Sequence, residues 1–204
     1  SGSGKTTFVD LMLGILSPTV GEVLISGRNP RLAINSSVLN AAYVPQEVHL
    51  ISGTLLENIA LGVPVQEIDF VRIKEVIEIS LLTEMTQSLT EGLNTKIGEE
   101  GVLLSGGQKQ RIGIARALYQ SPKLIAFDEP TSALDGEAEG FIAATIEALH
   151  GTATIVVIAH RLNTLKNVDK VIYLENGKLV AEGKFEDIRN QVANFDQNAT
   201  SAGM

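Results

Sequence analysis

The chain has 204 residues, 44% hydrophobic and 20% charged, and its 24 Asp and Glu against 16 Lys and Arg leave a formal charge of -8. That balance suits one globular domain with a sizeable core, and without clustered basic residues it argues against broad nucleic-acid binding. With no cysteine there is neither a disulfide framework nor a thiolate metal site, and apolar runs such as 153–159 fall far short of the roughly 18 residues that cross a bilayer.

The first residues, Ser1-Gly2-Ser3-Gly4-Lys5-Thr6-Thr7, match the end of G-x-x-x-x-G-K-[ST]. Its glycines let the backbone curl so that N–H groups point at phosphates, and a helix N-terminus favours the negative charge. Lys5 then reaches the β/γ oxygens and Thr6 is a ligand for Mg2+. The motif's first glycine would stand before Ser1, so the chain reads as a fragment truncated within the motif. A bland reading of the same residues is a Gly/Ser-rich start to a helix.

Apolar spacing predicts a helix over Lys5–Leu16, then a strand over Gly21–Ser26 before the turn Gly27-Arg28-Asn29-Pro30. A short strand at Ala41–Val44 is stopped by Pro45. From Gly53 to about Tyr119 the pattern is helical, a subdomain inserted in the sheet. Leu124–Phe127 and Thr154–Ala159 are continuous apolar runs of the kind buried on both faces of a parallel sheet. Between them Asp135 can cap a helix reaching His150, with Gly151 just past its end. Two last strands, Lys170–Leu174 and Lys178–Ala181, flank the turn Glu175-Asn176-Gly177, and a helix near Phe185–Val192 precedes a polar tail. The expected fold is thus α/β: a mostly parallel P-loop NTPase (RecA-like) sheet with an inserted helical subdomain. Its parts are 1–52 (core, first part), 53–119 (helical subdomain), 120–193 (core, second part) and 194–204 (flexible tail).

Asp128-Glu129 closes a buried strand and delivers two carboxylates to its C-terminal end, where ligands sit in open α/β sheets. Side chains alternate along a strand, so the two acids have different jobs. Asp128 is expected to hold magnesium through water, and Glu129 to act as general base on the attacking water. A lone Asp-Glu pair would be read as a strand running into a solvated turn; Pro130-Thr131-Ser132-Ala133-Leu134-Asp135 directly after it makes that reading untenable. Leu104-Ser105-Gly106-Gly107-Gln108 opens a helix and offers an anion site, or more simply a Ser N-cap with a permissive glycine hinge. His160 ends a strand at the same sheet edge as Glu129 and Gln46 follows Pro45; alone, each would be structural, as His49 and His150 are judged to be.

With these motifs in place, the chain resembles the nucleotide-binding domain of an ATP-binding cassette (ABC) transporter over nearly its whole length. The resemblance reads Gly2–Thr7 as a partial Walker A motif, Gln46 as the Q-loop, Leu104–Gln108 as the signature and Leu124–Glu129 as Walker B. It reads Ser132–Asp135 as the D-loop and His160 as the switch histidine. Thr95–Gly101 resembles the exporter X-loop, and the segment after Gln46 resembles its exporter form, so an exporter is expected rather than an importer ATPase. The family implies ATP and Mg2+ as cofactors and Gln46, with Thr6 and Asp128, near the metal. It implies a second nucleotide-binding domain paired head to tail, with Leu104–Gln108 serving the partner's ATP. A transmembrane domain, fused upstream, would place the chain on the cytoplasmic face of a membrane, and a lipid, lipid-linked or other hydrophobic substrate is expected. A central strand feeding the phosphate loop and an aromatic stacked on adenine are implied upstream of Ser1. Two rivals share the motifs. A soluble mechanical ATPase of DNA repair or chromosome organisation would carry long coiled coils, which are missing here. A non-hydrolysing half of a heterodimer is opposed by intact Glu129 and His160.

Overall fold

The computed structural model describes residues 2–35, 40–98, 101–129, 136–159, 165–193 and 195. Its centre is a parallel sheet of β1 (Ala41–Val44), β4 (Leu124–Asp128) and β5 (Thr154–Ile158), with β4 in the middle. Every residue of β4 is buried, which is why its sequence is an unbroken apolar run up to the carboxylate. Alternation then splits the strand between two cores. Leu124 and Ala126 pack with Val9 of helix α1 (Lys5–Met12), with Leu13 at its C-cap and with Ile158. Ile125 and Phe127 face the larger core and pack with Ile112, Ile114 and Leu118 of helix α6 (Gly106–Tyr119). Burying each such side chain is worth about 1.5–3 kcal/mol, so α1 and α6 are clamped onto opposite faces of one strand.

The predicted helix over Lys5–Leu16 is shorter than its apolar spacing implied, because it ends in a Schellman motif. Ile15 N–H bonds to Asp10 C=O at 2.9 Å and Gly14 N–H to Leu11 C=O at 3.2 Å. Gly14 takes φ 69°, and a Cβ on it would stand 2.7 Å from the Arg31 nitrogen at the start of helix α2 (Pro30–Asn35). The expected strand at Gly21–Ser26 is not formed. Only a single bridge joins Ile25 to Arg28, around Ser26 at φ 50° and Gly27 at φ 75°. A strand needs a partner ladder, and Val20 and Leu24 are exposed instead of packed.

The inserted segment holds helices α3 (Leu55–Ile59), α4 (Phe70–Ile79) and α5 (Thr83–Ser88) ahead of α6. It also contains a two-residue antiparallel pair, β2 (Gly53–Thr54) with β3 (Lys96–Ile97), too short to leave an alternating pattern. Local chemistry sets its helix starts. Thr54 and Glu57 form a capping box on α3, and Asp69 accepts from the N–H groups of Val71 and Arg72 on α4. Helix α7 (Gly136–Leu149) leads to Gly151 at φ 78° and into β5.

The β6 (Val171–Glu175) and β7 (Lys178–Gly183) strands form the predicted hairpin, with left-handed Asn176 and Gly177 supplying a two-residue turn. Helix α8 (Phe185–Gln191) packs Phe185 and Ile188 against it. Among the described residues, β5 pairs only with β4 and β6 only with β7. Between these two open edges lies a cavity of about 530 Å³, lined by both strands and by Gly2, Ser3 and Phe8. No helix among the described residues is long and apolar enough to cross a membrane.

Candidate functional site

The N-terminal turn of α1 is shaped by two glycines. Gly2 and Gly4 hold φ 86° and 91°, a backbone that L side chains rarely adopt. Gly4 is the N-cap and no side chain caps the helix, so the first N–H groups of this eight-residue helix stay directed at whatever lies beyond it. Lys5 Nζ donates to Ser3 Oγ at 3.0 Å, folding the ammonium back over the loop. The loop is braced from outside by Gly177, whose N–H donates to the Ser3 carbonyl at 3.1 Å.

Thr6 projects from α1 toward the end of β4. Its hydroxyl donates to Asp128 Oδ2 at 3.4 Å, a long bond, across 122 residues of sequence. A second hydroxyl reaches the same oxygen: Tyr43 donates to it at 2.9 Å from β1. Tyr43 is pushed up to about 12, first by burial and then by the bond to Asp128, with the charges of Asp128 and Asp10 adding to it. It therefore stays a protonated donor throughout the neutral range. A hydroxyl from a phosphate-loop-like helix start and an acceptor-only carboxylate from the adjacent strand end are oxygen ligands of the type that suits a hard divalent cation. The residues present thus fit Mg2+.

Glu129 leaves the strand with φ 45°, while its N–H still bonds to the Ile158 carbonyl at 3.0 Å. A left-handed glutamate at a strand end is a strained conformation of the sort that clusters at functional sites. The backbone thus departs from the extended path of β4 directly after Asp128. Gln46 lies two residues past the end of β1, exposed, at the same C-terminal edge of the sheet as Asp128. Thr7 is an exposed residue of the first turn of α1. The structure thus brings Gly2–Thr7, Gln46, Asp128 and Glu129 to one sheet edge.

Leu104–Gln108 makes a different kind of site. Ser105 Oγ accepts from the Gln108 N–H at 3.2 Å, and Gln108 Oε1 accepts from the Ser105 N–H at 2.9 Å, a reciprocal capping box. Ser105 and Gly106 are exposed and their described bonds stay within this turn. The simple N-cap reading and the anion-site reading are compatible here: the cap shapes a helix start whose outer face is open. Ser1, the D-loop residues Ser132, Ala133, Leu134 and Asp135, and His160 lie outside the described residues.

A family model for the ABC transporter matches residues 1–132. The chain belongs to the ABC transporter family. It carries that family's ATPase domain, in the P-loop NTPase fold. It is 41% identical over 92% of its length to an ATP-dependent lipid A-core flippase of Cupriavidus pinatubonensis, covering 32% of that protein. It is 38% identical over 94% of its length to the heterocyst differentiation ATP-binding protein HepA of Nostoc, covering 31% of that protein. The structure of a bacterial Atm1-family ABC exporter with ATP bound superposes with a TM-score of 0.85 at 32% identity, over 99% of this chain and 35% of that one. The chain therefore spans about a third of the length of these ABC relatives.

Two groups in this ABC domain escaped the sequence reading. One is Tyr43. The other is Arg116 on α6, whose Nε and Nη2 donate to the Asn58 carbonyl and Asn58 Oδ1 at 2.8 and 3.1 Å, and whose Nη1 donates to the His49 carbonyl at 3.1 Å. Fully buried Asn58 completes the knot by donating to the Ile51 and Thr54 carbonyls and accepting from the Ile51 N–H, each at 3.0 Å. The helix that starts at Ser105 is thereby tied to the segment following Gln46. Gly113 allows the close approach, since a Cβ there would meet Val48 Cγ2 at 2.5 Å. The only advance signal was an arginine set between the buried Ala115 and Ala117.

Proposed function

We propose that this chain is the ATP-hydrolysing domain of an exporter that moves a lipid, a lipid-linked or another hydrophobic substrate across a membrane, working from its cytoplasmic face. The observation that carries this reading is the convergence of Thr6 and Asp128 at the curled start of α1, with Glu129 the next residue, in a left-handed backbone. The lipid class is supported by relatives named as lipid A-core flippases. The partition into 1–52, 53–119 and 120–193, with 194–204 as a tail, belongs to the same proposal.

In this reading Ser1–Thr7 hold the phosphates through backbone N–H groups and Lys5. Thr6, Asp128 and Gln46 would hold Mg2+, which supplies charge neutralisation on the phosphate oxygens. Glu129 takes a proton from the attacking water, and His160 orients the terminal phosphate from the neighbouring strand end. Leu104–Gln108 serve the ATP held by a second nucleotide-binding domain paired head to tail, and Ser132–Asp135 form the D-loop. Gln46 connects nucleotide state to a transmembrane domain through the segment that Arg116 and Asn58 bind to α6.

Glu129→Gln in the intact transporter tests the reading. ATP binding should persist while turnover falls at least a hundredfold, general-base catalysis contributing about 10²–10⁴-fold, and nucleotide should remain trapped. Unchanged turnover removes Glu129 as the base.

A further inference from the structure

Tyr43 lies on the same face of the sheet as Asp128. It is in register with Ala126 across the β1–β4 ladder, and Asp128 follows two residues later on the same side of β4. Ala126 presents only a methyl group between them, so the tyrosine ring can lie along that face and bring its hydroxyl to Asp128 Oδ2 at 2.9 Å. The hydroxyl of Thr6 shares that oxygen at 3.4 Å. These two bonds are unequal: the tyrosine bond has near-ordinary length, whereas the threonine bond is long and easily exchanged for another partner.

We infer that Tyr43 is a positioning residue for the metal-bearing carboxylate: its hydroxyl fixes the rotation of Asp128 so that the carboxylate is set before Mg2+ arrives. This rests on the reading of Asp128 as a metal-holding group given above. Thr6 is free to turn its hydroxyl away from Asp128 on metal binding, and Tyr43 then keeps Oδ2 engaged. Outer partners that orient a ligating carboxylate typically tune metal affinity. Tyr43 forms no part of the phosphate loop, the signature or either carboxylate, and its role is confined to orientation.

The test uses the intact transporter and reads metal affinity directly, by electron paramagnetic resonance titration of Mn2+ with ADP present, alongside the Mg2+ dependence of ATP hydrolysis. Tyr43→Phe keeps the ring and deletes the donor. It should weaken Mn2+ binding and raise the half-saturating Mg2+ concentration by about ten- to hundredfold, as loss of a partner that orients a ligating group does. Turnover at saturating Mg2+ should change less than twofold. In an Asp128→Asn background, the same tyrosine change should have no further effect on Mn2+ affinity. Should folding of Tyr43→Phe be compromised, 3-fluorotyrosine placed at position 43 gives a second reading, since its fluorine resonance should move during an Mg2+ titration with ADP. Unaltered Mn2+ affinity in Tyr43→Phe, or a fluorine resonance indifferent to Mg2+, overturns the inference. If Asp128→Asn itself leaves Mn2+ affinity intact, the underlying assignment of Asp128 fails instead.

Discussion

Replacing Arg116 by leucine breaks three hydrogen bonds at once, those to the Asn58 carbonyl, Asn58 Oδ1 and the His49 carbonyl. Losing the partner of a buried acceptor costs about 1–3 kcal/mol, and the three are not additive. Two considerations keep the sum low. Asn58 Oδ1 retains the Ile51 N–H, and removing the guanidinium relieves the burial that already holds its pKa below the ordinary arginine value. A net cost of about 2–4 kcal/mol follows, concentrated in the contact between residues 48–59 and α6. Each 1.4 kcal/mol is a factor of about ten, so amide exchange within 48–59 should accelerate by roughly 30- to 700-fold if the segment opens locally. Hydrogen exchange on the intact transporter measures this, with the β6–β7 hairpin as internal reference. Arg116→Lys, able to keep one of the three bonds, should fall between. Wild-type exchange over 48–59 in Arg116→Leu would refute the claim that this arginine ties the segment to the signature helix.

Other expectations follow from single distances. Gly113→Ala gains about 1 kcal/mol of helix propensity but drives its Cβ to 2.5 Å from Val48 Cγ2. Thermal unfolding should therefore show net destabilisation of about 1–2 kcal/mol, reversed in the Gly113→Ala/Val48→Ala double variant. Gly14→Ala combines φ 69° with a Cβ 2.7 Å from the Arg31 nitrogen and should lower the melting temperature, whereas Gly140→Ala, in open space, should raise it. The Glu57 carboxylate is held below its ordinary value, chiefly by the Thr54 backbone N–H and next by the Thr54 hydroxyl. A depressed folded value means its stabilisation is present above the unfolded value near 4.5 and is lost as pH falls through the folded one. Glu57→Gln should flatten that acid limb in a stability-versus-pH series.

The elements that were legible before the structure are those whose signals are local. The apolar run of β4 ending in Asp128 reported burial on both faces, and Asn176-Gly177 between two short runs specified the β6–β7 turn. Ser105, legible as an N-cap, announced the start of α6. Gly21–Ser26 misled because its strand-like composition lacks a partner to pair with, and pairing is a property of the fold. The apolar spacing of Lys5–Leu16 runs past the end of the helix because it continues through the Schellman turn at Gly14. Within the site, motifs located Gly2–Thr7, Gln46, Asp128 and Glu129, but Tyr43 and Arg116 act across 85 and 58 residues of sequence. Nothing adjacent to Tyr43 marks its contact, and the alanines on either side of Arg116 do not name its partners.

In the proposed function ATP is held between two half-sites, one at Gly2–Thr7 with Asp128 and Glu129, the other at Ser105–Gln108 of a partner. That arrangement is tested most directly by Ser105→Arg in the intact transporter, with photoaffinity labelling by an azido-ATP analogue measured alongside phosphate release. Labelling of the mutant's own phosphate loop should persist while hydrolysis is abolished. Loss of labelling together with hydrolysis, or hydrolysis at the wild-type rate, would contradict it.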